Sequence, residues 1–212
     1  MAHAKRGSSA NVKFLDATPC GSFRNGQTGL HLAAVADRAE SIAALIQHEA
    51  KTSNIDRNGM TPLHLAAVYG SARAVEALLE ANANPDATLP DRLGRPYPAR
   101  VGPPSLAGST ALHLAALVGN TNIISLLLNA GASVNATNAT GRTALDMALH
   151  VPNYYFEISR LRLHSNSLWN VSSPSAIPSP ASIAGTRPAT TAVLEKAGGK
   201  RSTTSGFYSG PF

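Results

Sequence analysis

Two kinds of short apolar block take turns along this chain. One is dense and small-sided, as in Leu30 to Ala34, Leu63 to Ala67 and Leu112 to Ala116. The other is spaced three and four apart: Ile42, Leu45 and Ile46, then Val75, Leu78 and Leu79, then Ile124, Leu127 and Leu128. That spacing is one face of a helix, and Glu76 and Glu80 fall on its outer side. The dense block predicts a short helix whose small residues let a neighbour approach closely. Thr61-Pro62 predicts its start, a capping hydroxyl followed by proline at the first helical position, and Gly70 its end. After the second helix, Asn82 and Gly131 stand where the chain must turn left-handed, while Glu49 occupies that place less comfortably. Each unit therefore reads as helix, turn, helix and an extended turn into the next.

The units recur in phase. Asn25–Ala34 (NGQTGLHLAA) returns at Asn58–Ala67 (NGMTPLHLAA), at Ser109–Ala116 (STALHLAA) and, weakened, at Thr143–Ala148 (TALDMA). The key threonines, Thr28, Thr61, Thr110 and Thr143, stand 33, 49 and 33 residues apart. A period in this range predicts an all-α solenoid of stacked supersecondary units, none of which can bury its apolar face alone.

These motifs resemble the ankyrin repeat, whose Thr-Pro-Leu-His is intact at Thr61–His64 and nearly so at Thr28–His31 and Thr110–His113. In the fourth copy Asp146 stands for the histidine. The resemblance covers about residues 23 to 161 and implies four repeats, at about 23–55, 56–86, 105–137 and 138–165, the last degenerate. It implies structural roles for Thr28, His31, Thr61, His64, Thr110, His113 and Thr143. It also implies a partner surface along the concave side, at the hairpin tips and the exposed end of each first helix. The tip positions are Arg24, Asn25 and Gln27; Arg57, Asn58 and Met60; Leu106, Ala107 and Ser109; and Ala139, Thr140 and Arg142. The helix-end positions are Val35 and Ala36, Val68 and Tyr69, Leu117 and Val118, and His150 and Val151. That second row is apolar, which predicts an exposed groove for an apolar peptide segment, anchored at Tyr69 and flanked by Arg24, Arg57 and Arg142.

Departures from the period mark the rest of the chain. The longer middle step predicts a proline- and arginine-rich loop at 87–104, rooted in the hairpin between two repeats. After His150 the leucine pair of the second helix is missing, and Tyr155, Ile158 and Leu161 predict an improvised C-terminal cap. Residues 1–22 read as a flexible segment or the remnant of an upstream repeat. From 166 to 212 the composition turns to Ser, Pro, Thr, Ala and Gly, and the expectation is a disordered tail, with helical character only around Ala192–Lys196. Ser173-Pro174 and Ser179-Pro180 are candidate sites of proline-directed phosphorylation.

Charge changes this picture little. The net charge of +6 lies in the ends, since residues 25–150 carry 8 Lys and Arg against 9 Asp and Glu. A basic stripe on the ordered face, which nucleic-acid binding requires, is not expected. Cys20 is the only cysteine, so no internal disulfide framework exists, and the expectation is a reducing compartment, cytoplasm or nucleus. No run of about 18 apolar residues is present, so no membrane partner is expected. The recurring histidines sit on parallel helices without a cysteine or carboxylate cluster, which predicts no metal site and no cofactor. Gly198-Gly199-Lys200 lacks the spacing and context of a phosphate loop.

No constellation for catalysis remains. The expected function is a non-catalytic protein-binding adaptor or scaffold, a monomer working through the groove and hairpin tips. A regulatory or inhibitory subunit is the alternative, or a fragment of a larger multidomain ankyrin protein.

Overall fold

The computed structural model describes residues 26–56, 58–90, 106–149 and 180–202. Among the described residues eight helices run in chain order: α1 (Gly29–Val35), α2 (Ala39–Gln47), α3 (Pro62–Tyr69), α4 (Ala72–Glu80), α5 (Ala111–Val118), α6 (Thr121–Asn129), α7 (Ala144–Leu149) and α8 (Pro180–Lys196). They form two layers. The first helices of the units, α1, α3, α5 and α7, stack side by side, and the second helices, α2, α4, α6 and α8, stack behind them. The fold is the all-helical repeat stack that the periodicity predicts.

Each first helix begins on a threonine in extended backbone, at Thr28, Thr61 and Thr110. The extended residue holds its hydroxyl over the first turn, where it meets N–H groups that have no partner inside the helix. Each second helix turns left-handed just after it ends. The residues there are Glu49 (φ 67°), Asn82 (φ 57°), Gly131 (φ 85°) and Gly198 (φ 84°). The following N–H then bonds back to a carbonyl five residues earlier: Ala50 to Leu45, Ala83 to Leu78, Ala132 to Leu127 and Gly199 to Leu194, at 2.8–3.0 Å. Glutamate accepts that backbone conformation less readily than asparagine or glycine.

The core lies between the layers. Ile42, Val75, Leu78, Ile123, Ile124, Leu127 and Leu194 supply it from the second helices, each fully buried. Leu30, Leu63, Leu65, Leu112, Leu114 and Leu145 supply it from the first.

The expectation of a disordered tail does not hold for residues 180–202. Here α8 packs on α7 and α6, in the position of a second helix for the fourth unit. Leu194 takes the place of Leu127, and Thr190 that of Ile123; both are fully buried. The run Val193-Leu194-Glu195-Lys196-Ala197-Gly198 is the counterpart of Leu126-Leu127-Leu128-Asn129-Ala130-Gly131. In sequence, residues 150–179, which lie outside the described residues, separate α7 from α8. Tertiary packing, not composition, makes this helix: its surroundings supply the apolar surface that its own sequence lacks. The cap expected at Tyr155, Ile158 and Leu161 lies outside the described residues.

The middle hairpin shows how the long loop joins the stack. In the first and third hairpins, Asp56 N–H donates to Met60 O and Asn138 N–H to Arg142 O, both at 2.9 Å. The same pair closes the middle one, Leu89 N–H to Ser109 O at 3.0 Å. The side chains differ. Asp56 Oδ1 accepts from the N–H groups of Asn58 and Met60, and Asn138 Oδ1 from those of Thr140 and Arg142. Leu89 has no side-chain oxygen for that task, and the additional residues of the chain fall between Leu89 and Gly108. Residues 91–105 lie outside the described set.

Candidate functional site

Three buried histidines run through the first-helix layer. In each unit the threonine N–H donates to histidine Nδ1, at 3.1 Å for Thr28 and His31, 3.3 Å for Thr61 and His64, and 3.2 Å for Thr110 and His113. The threonine Oγ1 lies 2.8–2.9 Å from the same nitrogen. An accepting Nδ1 assigns the ring proton to Nε2. His31 Nε2 accordingly donates to Met60 O at 2.9 Å, and His113 Nε2 to Arg142 O at 3.1 Å, each carbonyl belonging to the next unit. Burial pushes His31 and His64 down to about 4 and lowers His113 as well, against the raising effect of the backbone carbonyls beside them. The rings are neutral struts between units.

His64 departs from this pattern. Its Nε2 and the nearby Ser109 Oγ have no hydrogen-bond partner among the described residues. This is the junction whose hairpin carries the additional residues in sequence. In the fourth unit Asp146 replaces the histidine and reverses the polarity of the link. Its Oδ2 accepts from Thr143 N–H at 2.9 Å and from Ser202 N–H at 3.0 Å. Burial raises its carboxyl, and the Thr143 and Ser202 hydrogen bonds more than offset that, leaving it below the ordinary value. Among the described residues no group of three or more His, Cys, Asp and Glu is placed to hold a metal ion. No described helix is long and apolar enough to cross a membrane.

Of the apolar row expected on the surface, the four middle residues lie in the core, while Val35 is half-buried and Ala36 exposed. Val68 is 0%, Tyr69 7%, Leu117 1% and Val118 7% exposed, and Met60 at the hairpin tip is 1% exposed. All eight residues of α3 and all eight of α5 are buried. A first helix with a neighbour on either side and a second helix behind it has little surface left. At the end of α5 the closure is tighter still, because a Cβ on Gly119 would run into the Thr186 hydroxyl of α8. These five residues are structural in this conformation, which corrects the premise of an exposed apolar groove. Asn58 and Arg142 are half-buried at the first and third hairpin tips, and Ala139 is exposed. Arg24, Arg57, His150 and Val151 lie outside the described residues.

A different surface is exposed in register. In the extended segments between units, alternate positions face solvent: Lys51, Ser53 and Ile55; Asn84 and Thr88; Ser133, Asn135 and Thr137. Ile55, at 57% exposure, is the large hydrophobic residue most open to water among those described. Ile55, Thr88 and Thr137 occupy one position of three successive hairpins, a β-branched row. From the second segment onward, side chains tie each to the next. Asp86 accepts from Ser133 N–H at 2.8 Å and from its hydroxyl at 2.5 Å. One unit on, Asn135 Oδ1 accepts from Lys200 N–H at 2.7 Å, and its Nδ2 donates to Gly198 O at 3.1 Å. This row was legible as the shared 33- and 49-residue step, but nothing in the sequence said that it, rather than the helix ends, stays in water.

Comparison with known families matches residues 1–88 to a model described as ankyrin repeats in three copies, and residues 107–139 to a single ankyrin repeat. The first match takes in α1 to α4, and the second the neck of the middle hairpin with α5 and α6. Among curated proteins none matches the chain.

Proposed function

The chain belongs to the ankyrin-repeat family, and from that premise we propose that it is a non-catalytic adaptor or scaffold that binds protein partners along its hairpin edge. Ankyrin repeats are in general protein-interaction modules and typically lack catalysis. What supports the hairpin edge as the binding surface is the register of Ile55, Thr88 and Thr137, exposed at equivalent positions while the first helices are enclosed. A row of β-branched side chains on a backbone tied from the second segment onward presents a rigid surface, which loses little freedom when a partner docks. Asn58, Thr140 and Arg142 lie beside it at the tips and supply polar specificity.

The test is affinity capture with the wild-type chain beside a variant carrying Ile55→Glu, Thr88→Glu and Thr137→Glu, with circular dichroism confirming that both are folded. Partners lost from the variant support the edge as the working surface. An unchanged partner list refutes it and directs attention to the loop at 87–104.

A further inference from the structure

We propose that α8 is a detachable latch, which opens and recloses on the C-terminal end of the stack while the other units stay folded. Its grip is thinner than that of the two interior second helices, α4 and α6, and comparable with that of α2, which buries Ile42 alone. Where α6 buries Ile123, Ile124 and Leu127, α8 buries Thr190 and Leu194 and leaves Thr191 half-exposed. The helix itself is a weak one. Gly185 and Pro188 stand inside it, both exposed, and the proline removes a backbone donor from its middle. Thr190 and Thr191 spend their hydroxyls on carbonyls of their own helix, those of Thr186 and Pro188. Arg187 Nε is buried without a partner among the described residues.

The contacts that fasten the end of the latch are polar, those of Asn135 exposed and those of Thr143 and Asp146 part-buried. Asn135 holds Gly198 and Lys200 through its amide, Thr143 Oγ1 donates to Lys200 O at 2.9 Å, and Asp146 receives Ser202 N–H. Water replaces such bonds at small net cost, so they set the register of the latch more than its strength. Opening gives up one large buried side chain and regains the entropy of the helix, whereas opening α4 or α6 would split the stack. The surface uncovered is the side of α7 and α6 on which α8 rests, beside Gly119 and Val134.

Hydrogen exchange read by mass spectrometry on the full chain tests this. The expected result is that amides of residues 180–196 exchange at least tenfold faster than those of α3 and α5, yet slower than an unstructured peptide. In a Gly185→Ala, Pro188→Ala variant the α8 amides slow at least tenfold while those of α3 are unchanged. A Cβ at Gly185 meets open space, so that half of the variant fits the existing fold. Asn135→Ala speeds α8 exchange and leaves α3 alone. The proposal is overturned if α8 and α3 exchange together, if α8 has no protection at all, or if the double variant leaves α8 exchange unchanged.

Discussion

Lowering the pH from 7.5 to 5 removes a large part of the stability of this stack, through the buried histidines. In an unfolded chain an imidazole takes up its proton near pH 6.5, whereas burial holds His31 and His64 at about 4. Between those values the unfolded state binds protons that the folded state refuses. The stabilisation is thus fully present above pH 6.5 and is lost as pH falls toward 4. Linkage over the step from 7.5 to 5 gives about 2 kcal/mol for each of these groups. The pair therefore removes about 4 kcal/mol, from a total that is commonly 5–15 kcal/mol. His113 acts in the same direction. Geometry explains the refusal: a proton on Nδ1 would face the N–H of Thr28 or Thr61, at 3.1 and 3.3 Å. Asp146 contributes with the same sign but only at lower pH, because its carboxyl lies below the ordinary value. The assay is urea unfolding followed by circular dichroism at pH 7.5, 6.5, 5.5 and 5.0, with the imidazole nitrogens titrated by NMR. Stability flat across this range, or His31 and His64 titrating near 6.5 in the folded chain, refutes the reasoning.

Other consequences follow from burial and backbone geometry. Leu117→Ala empties a site with 1% exposure, so urea unfolding should show a loss of about 2–5 kcal/mol, and any loss of binding should track unfolding. Glu49→Gly relieves a left-handed residue at φ 67° and should raise stability by about 1 kcal/mol; a lowered melting temperature would contradict this. Arg73→Ala breaks the exposed 2.7 Å pair with Glu40, and the melting temperature should stay unchanged within error, because solvent screens such a pair.

Much of the fold can be read from the residues alone. The threonine steps of 33, 49 and 33, the capping histidines and the left-handed positions at Asn82 and Gly131 each encode a local event, and each occurs where its residues stand. Local chemistry of this kind needs only neighbours three to five positions away. The candidate surface was less legible. Val68, Tyr69, Leu117 and Val118 look the same in a sequence whether a groove is open or enclosed, because exposure depends on how closely α1, α3, α5 and α7 approach.

The tail makes the same point in reverse. Pro188, Gly185 and a run of threonines describe a segment that has no reason to be helical by itself. It becomes α8 because Leu194 finds the place that Leu127 holds one unit earlier, and because Asn135, Thr143 and Asp146 receive its end. The repeating unit, its caps and its period can be read along the chain, since these are set within each unit. Which apolar residues are enclosed, and which distant segment completes the fourth unit, emerge from the packing. Burial and docking are contacts between units, and the energy of such contacts belongs to the pair rather than to either stretch of chain.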